Sequence, residues 1–170
     1  MQTSIPVSAL RRRKSGGQTI VESVFTLLPL LAIIFGVVDF GLMIFRWTTL
    51  QNAVREGVRY AVTFQTAQGL GQDASIEQQV QTYAMGFVHT SDSPQTIYVK
   101  YYNPDTLTQI TSGGNQPGNL VTVSVQNVSF GWIAPLAGNY SLRTTTPLAL
   151  NVSSSDILGG YPAGVTSVTE

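Results

Sequence analysis

Between Arg11 and Val38 the chain reads RRRKSGGQTIVESVFTLLPLLAIIFGVV. Four cations come first, then two glycines, then a long apolar run with one carboxylate, Glu22, near its start. From Ile20 to Phe45 nearly every side chain is apolar; the polar exceptions are Glu22, Ser23, Thr26 and Asp39. An amphipathic helix of a soluble domain carries a single apolar stripe, whereas apolar residues here surround the axis. A membrane helix needs about 20 such residues. The uncharged stretch between Glu22 and Asp39 is shorter, so one acid lies at or inside the boundary of the span. We therefore expect a transmembrane helix over residues 18–46, with a buried core helix as the alternative.

The flanking charges set an orientation. Arg11 to Lys14 precede the span and Arg46 stands alone after it, so the positive-inside rule places the N-terminus in the cytoplasm and the chain beyond Trp47 outside. Trp47 is a candidate interfacial anchor. A cleaved secretory signal would be shorter and followed by a small-x-small site. A twin-arginine signal would continue into an apolar core rather than into KSGG.

Composition narrows the function. Charged residues make up 11 % of the 170-residue chain, well below the quarter usual in a soluble domain. From Gln18 onward there are five Lys/Arg against nine Asp/Glu, so this part is net acidic by four. An acidic body argues against nucleic-acid binding, which needs a basic face on the folded part. With no cysteine, disulfides, thiolate chemistry and Cys-ligated zinc are excluded. His89 is the only histidine, no serine lies in a nucleophile motif, and no phosphate-binding glycine-rich loop precedes a helix. We expect no enzyme and no cofactor. His89 is read as ending a helix beside Thr90. Asn127, Asn139 and Asn151 begin Asn-x-Ser tripeptides, which matter only in a host that glycosylates exported proteins.

Helical periodicity continues past Arg46 over residues 47–64. Trp47, Leu50, Val54, Val58 and Val62 form one apolar stripe. Ala53, Gly57 and Ala61, spaced by four beside it, let another backbone approach closely. Packing of this face onto the chain's own domain is the expected use. Pro29 removes one backbone hydrogen bond, which a membrane helix tolerates. Asp39 is read either as an interfacial residue or as a contact to another membrane component.

Residues 65–170 read as an exported α+β domain. Gln65 to Asp73 is a loop, and Ser75 is a candidate N-cap for a helix over Ile76 to Val88. Asp73 and Glu77 suit the first turn of that helix. Thr96–Tyr102, Leu120–Val125 and Leu148–Val152 alternate as strands, and Thr111 to Gly118 is turn-rich. The apolar stretch Phe130 to Tyr140 is read as a loop covering the core, with an exposed contact surface as the alternative. The tail from Ser153, rich in Ser, Gly and Thr, is expected to be disordered. One helix followed by consecutive strands implies an antiparallel meander.

Returning to the start, a basic leader, residues 1–17, ends in Gly16-Gly17, and Glu22 is the fifth residue after Gly17. This resembles the processing site of type IV prepilins and pseudopilins. The resemblance implies a cut after Gly17 by a membrane-embedded prepilin peptidase, with Gln18 as the new N-terminus. A free ammonium and a carboxylate are both expensive in lipid unless paired. Glu22 of one subunit meeting the Gln18 ammonium of a neighbour satisfies both.

Further along, Pro29, Gly36, Asp39 or Gly41, and Gln-Asn-Ala-Val-Arg-Glu-Gly-Val-Arg-Tyr-Ala over Gln51 to Ala61 extend the likeness to residues 16 to 64. Together these resemble the TadE-like family of the tight-adherence (Flp) pilus machinery. Ser23 departs from that pattern, which usually has an aromatic residue there. The resemblance implies a pilin-like fold: a long N-terminal helix carrying an exported domain with a short helix and an antiparallel sheet. It also implies the cytoplasmic membrane, the prepilin peptidase and other pilins or pilus assembly proteins as partners, in a minor pilin or assembly component. The alternative is an uncleaved, single-pass, membrane-anchored binding module with an extracytoplasmic domain.

Overall fold

The computed structural model describes residues 16–131 and 148–170. Arg11 to Lys14, Asn139 and nearly all of the stretch Phe130 to Tyr140 lie outside the described residues.

A single helix, α1, spans Gly16–Val62, 47 residues. At 1.5 Å per residue it is about 70 Å long. It continues through Pro29. Its hydroxyl side chains bond to their own backbone: Ser23 Oγ donates to the Thr19 carbonyl at 2.8 Å, Thr26 Oγ1 to that of Glu22 at 3.1 Å, and Thr49 Oγ1 to that of Phe45 at 2.8 Å. Such local bonds satisfy polar groups where no water is at hand. Beyond Val62, Phe64 adopts a left-handed backbone (φ 52°), and its N–H donates to the Ala61 carbonyl at 3.0 Å. That conformation costs about 1–2 kcal/mol. Burying the Phe64 ring, 4.5 Å from the ring centre of Tyr161, offsets it.

The second helix, α2, spans Gln72–Tyr83. It therefore starts earlier and ends earlier than the sequence predicts. Gly71, not Ser75, is its N-cap. The Ser75 hydroxyl lies within the first turn, donating to the Gly71 carbonyl at 2.6 Å and accepting from the Ala67 N–H at 2.9 Å. The chain turns away after Ala84, with Met85 (φ 52°) and Gly86 (φ 80°) both left-handed. Val80, Ala84 and Val88 are all buried, whereas Tyr83 is 41 % exposed. His89 consequently sits in the following loop, exposed, with its backbone N–H bonded to Asp92 Oδ2 at 2.8 Å.

Four strands form one antiparallel sheet: β1 (Ile97–Tyr102), β2 (Gln109–Ile110), β3 (Leu120–Phe130) and β4 (Leu148–Ile157), in the order β2-β1-β3-β4. The three long strands follow one another as a meander. The two-residue β2, which the sequence reading places in no strand, folds back on the outer edge of β1. In β3 the inward residues shift phase, from Val121, Val123 and Val125 to Val128 and Phe130. A bulge between Val125 and Val128 absorbs the extra residue. Asn127 takes a left-handed φ of 60° there, and its N–H donates to Asn151 Oδ1 at 2.8 Å. Without the bulge a one-residue slip would turn Asn127 inward and Val128 out.

The C-terminal half of α1 lies on β3 and β4, and α2 fills the angle between α1 and β1. Leu50, Val54 and Val58 of α1, Ile76 and Val80 of α2, and Val121, Val123 and Val125 of β3 share one buried core. Each such side chain contributes roughly 1.5–3 kcal/mol when buried. The predicted stripe begins at Leu50, because Trp47 is 46 % exposed.

The tail is the largest correction. Residues to Ile157 belong to β4, and Leu158 is buried. The chain then returns along the loop before β3 to the start of α2. Leu158 exchanges backbone bonds with Gly118 and Asn119, Asn115 Nδ2 donates to the Val168 carbonyl, and the Gln72 N–H donates to that of Thr169, the last two at 2.8 Å. Glu170 accepts from the N–H groups of Gly113 and Gly114 at 2.7 and 3.2 Å. A Ser/Gly/Thr-rich segment frays when its backbone has no partners. Here an uncapped helix start and a loop supply them.

Candidate functional site

The first half of α1 carries the predicted site residues. Its apolar side chains point outward almost all round, Phe25 being 78 % exposed, and the exposed apolar surface runs from Ile20 to Trp47. Among the described residues this is the one helix long and apolar enough to cross a membrane. Gly17, Gly36 and Gly41 face open space, with no atom within 4 Å of where a Cβ would stand. Glu22 is exposed, on a flank of the helix shared with Thr19, Ser23, Thr26, Leu27 and Leu30. Gln18 lies four residues before it, one turn or about 6 Å along the axis. The structure thus places Gly17, Gln18 and Glu22 together at one end of an unsheathed helix.

Asp39 differs from its neighbours. It is fully buried within the chain and already engaged in an interaction. The small residues Ala53, Gly57 and Ala61 lie at the other end, against the chain's own domain. Ala53 and Ala61 are buried, and a Cβ on Gly57 would stand 2.5 Å from Val80 Cγ2 and 3.5 Å from Val123 Cγ1. The close approach they permit is taken up by α2 and β3.

Three features had no clear sequence signal. One is the packing around Arg46, whose guanidinium carbon lies 5.0 Å from the ring centre of Phe87 and 5.4 Å from that of Phe130. These residues come from three separate segments, so no local pattern joins them. Another is Gln72, whose Nε2 donates to the Ala61 carbonyl at 3.1 Å and ties α2 to the end of α1.

The third is the acidic corner of α2. The buried Tyr101 hydroxyl donates to Asp73, and Gln95 Nε2 donates to Glu77 at 3.1 Å. Burial pushes the Asp73 carboxyl above its ordinary value and Glu170 adds to this, while the bond from Tyr101 pulls the other way. Burial, then the charge of Asp73, also raises Glu77. Burial and Asp73 raise the Tyr101 hydroxyl. A carboxyl raised in the folded state binds protons more tightly than in the unfolded chain. Its stabilisation is therefore fully present below the unfolded carboxylate pKa and is lost as pH rises through the raised one. Melts of the detergent-solubilised protein should show stability falling as pH rises from below the unfolded carboxylate range through the raised carboxyl, and Asp73→Asn should flatten that fall. Tyr101→Phe should cost about 1.5–3 kcal/mol, the worth of a bond to a charged group. An unchanged melting temperature in Tyr101→Phe would assign that bond no weight.

Among the described residues no group of three or more His, Asp or Glu is placed to hold a metal ion. The described residues present an exposed apolar helix with an acid near its start, continuing into a folded domain.

Residues 17–59 match the TadE-like protein family. The match begins at Gly17, covers the exposed apolar half of α1, and ends within the buried half at Arg59, 43 of the 170 residues. No curated protein and no solved structure matches the chain. The TadE-like segment points to a component associated with tight-adherence pili, and the apolar helix to a single-pass membrane anchor. The α+β domain from Gln65 onward lies outside the matched range.

Proposed function

We propose that this chain is a minor pilin, or pseudopilin, or an assembly component of a tight-adherence pilus, cut after Gly17 by a prepilin peptidase. Its leader faces the cytoplasm, its helix is held in the cytoplasmic membrane, and its α+β domain lies outside. The observation that carries the reading is the TadE-like match starting at Gly17, on a helix whose first half is unsheathed while its second half is packed. After the cut, Gln18 supplies an ammonium and Glu22 a carboxylate one turn along. In lipid each charge is costly alone. Side-by-side packing of neighbouring subunits pairs them, and the same apolar surface that dissolves in the bilayer becomes the contact between helices.

The intact mass of the membrane-bound protein tests this in a host with active prepilin peptidase. Loss of residues 1–17 is expected. Gly17→Ala should retain them, and since nothing lies within 4 Å of a Cβ at that position, the substitution leaves the fold undisturbed. A full-length wild-type protein would sink the processing step and return the chain to an anchored binding module.

A further inference from the structure

Arg46 occupies a position that its membrane anchor does not require. It follows Phe45, the last residue of the apolar run, and precedes the exposed Trp47. Counted from Glu22 it lies 24 residues along α1, about 36 Å. The hydrocarbon core is about 30 Å thick, and about 40–45 Å with headgroups. With Glu22 at one boundary, Arg46 therefore falls at the headgroup level of the opposite leaflet.

Its side chain is half-buried rather than extended into water. The rings of Phe87 and Phe130 hold it at 5.0 and 5.4 Å, and Phe45 packs edge-on against Phe87 at 6.1 Å. Among the described residues no carboxylate forms an ion pair with it. Aromatic rings stabilise the charge through their faces but do not satisfy the five N–H donors at its planar edge. A guanidinium held in this way is suited to bidentate contact with phosphate oxygens, which a lysine ammonium does not reproduce.

We infer that Arg46, clamped by Phe87 and Phe130, forms a binding site for the phosphate of an anionic glycerophospholipid in the outer leaflet of the cytoplasmic membrane. The inference rests on the proposed anchor and its orientation. The domain contributes to the site, since Phe87 and Phe130 lie beyond the membrane helix. A bound lipid therefore couples the angle between domain and bilayer to the headgroup.

Native mass spectrometry of the full chain, purified in detergent and titrated with phosphatidylglycerol or phosphatidylcholine, tests it. Wild type should retain a first phosphatidylglycerol at least fivefold better than phosphatidylcholine. Arg46→Gln should abolish that preference. Arg46→Lys, which keeps the charge, should retain only part of it, as should Phe87→Leu; melting curves check that each variant is folded. Equal retention in wild type and Arg46→Gln would overturn the site, as would full displacement by millimolar inorganic phosphate, which would make the ligand a soluble anion. A chain found in the soluble fraction without detergent would overturn the anchor itself, a result separate from these.

Discussion

Replacing Gly57 by leucine should force α2 off α1 and destabilise the α+β domain by roughly 2–3 kcal/mol. Even a single carbon at this position would stand 2.5 Å from Val80 Cγ2, well inside contact distance, and 3.6 Å from Ile76 Cγ2. Overpacking a filled core costs about 1–3 kcal/mol. A leucine adds three further carbons where Ile76, Val80 and Val123 leave no room, which puts it at the upper end. The gain in helix propensity on losing glycine, about 1 kcal/mol, recovers part of this. Gly57→Ala should lie within about 1 kcal/mol of wild type, because that gain opposes the displacement of one methyl group. The diagnostic variant is the double one. Val80→Ala removes the clashing carbon, so combined with Gly57→Leu it should be more stable than the sum of the two single losses, a coupling expected only for residues in contact. Thermal unfolding in detergent measures all four proteins. Additive losses would show that α2 does not rest on Gly57. Membrane insertion should be unaffected throughout, since the exposed half of α1 is unchanged.

Glu22→Ala should leave cleavage and insertion intact and weaken co-purification of other pilins by roughly 60- to 300-fold. An unpaired charge in the membrane interior costs about 2.5–3.5 kcal/mol on insertion scales, and each 1.4 kcal/mol is a factor of ten in affinity. Under the proposed processing, removing Glu22 would leave the Gln18 ammonium of the adjoining subunit without its counter-charge. Because Glu22 is exposed on α1 and reaches no buried group of the domain, the substitution does not disturb the monomer. Glu22→Gln separates charge from shape. It should behave like the alanine variant if the carboxylate neutralises an ammonium. Full recovery by Gln would reduce the role to hydrogen bonding, and unchanged co-purification in both variants would remove Glu22 from the assembly contact.

These outcomes rest on features that differ in how openly the chain declares them. The apolar run from Ile20 to Phe45 and the Gly17–Glu22 spacing are contiguous, so they can be read residue by residue. The alternating strands of β1 and β3 and the Leu50–Val54–Val58 stripe are periodic, and period is a local property as well. The limits of α2 were less legible. Helix ends depend on which orphan N–H and carbonyl groups find partners, and for Gln72 that partner is Thr169, 97 positions away. Ser75 looks like a cap because its chemistry suits one, but its hydroxyl is used inside the first turn. The tail misled for a related reason. Its composition is that of a frayed end, but donors of Gly113, Gly114, Asn115 and Gln72, the burial of Leu158 and the packing of Tyr161 on Phe64 hold it in place.

Residue order alone settles that an unstriped apolar helix leads an acidic α+β domain, and that Glu22 stands at its threshold. It settles this because hydropathy, period and spacing act between near neighbours. Three-dimensional packing settles the rest: that Ile76 and Val80 of α2 pack against Gly57, that Asp39 is buried, and that Arg46 lies against Phe87 and Phe130. Each of these joins groups far apart in the chain, so its energy exists only once the core has brought them together.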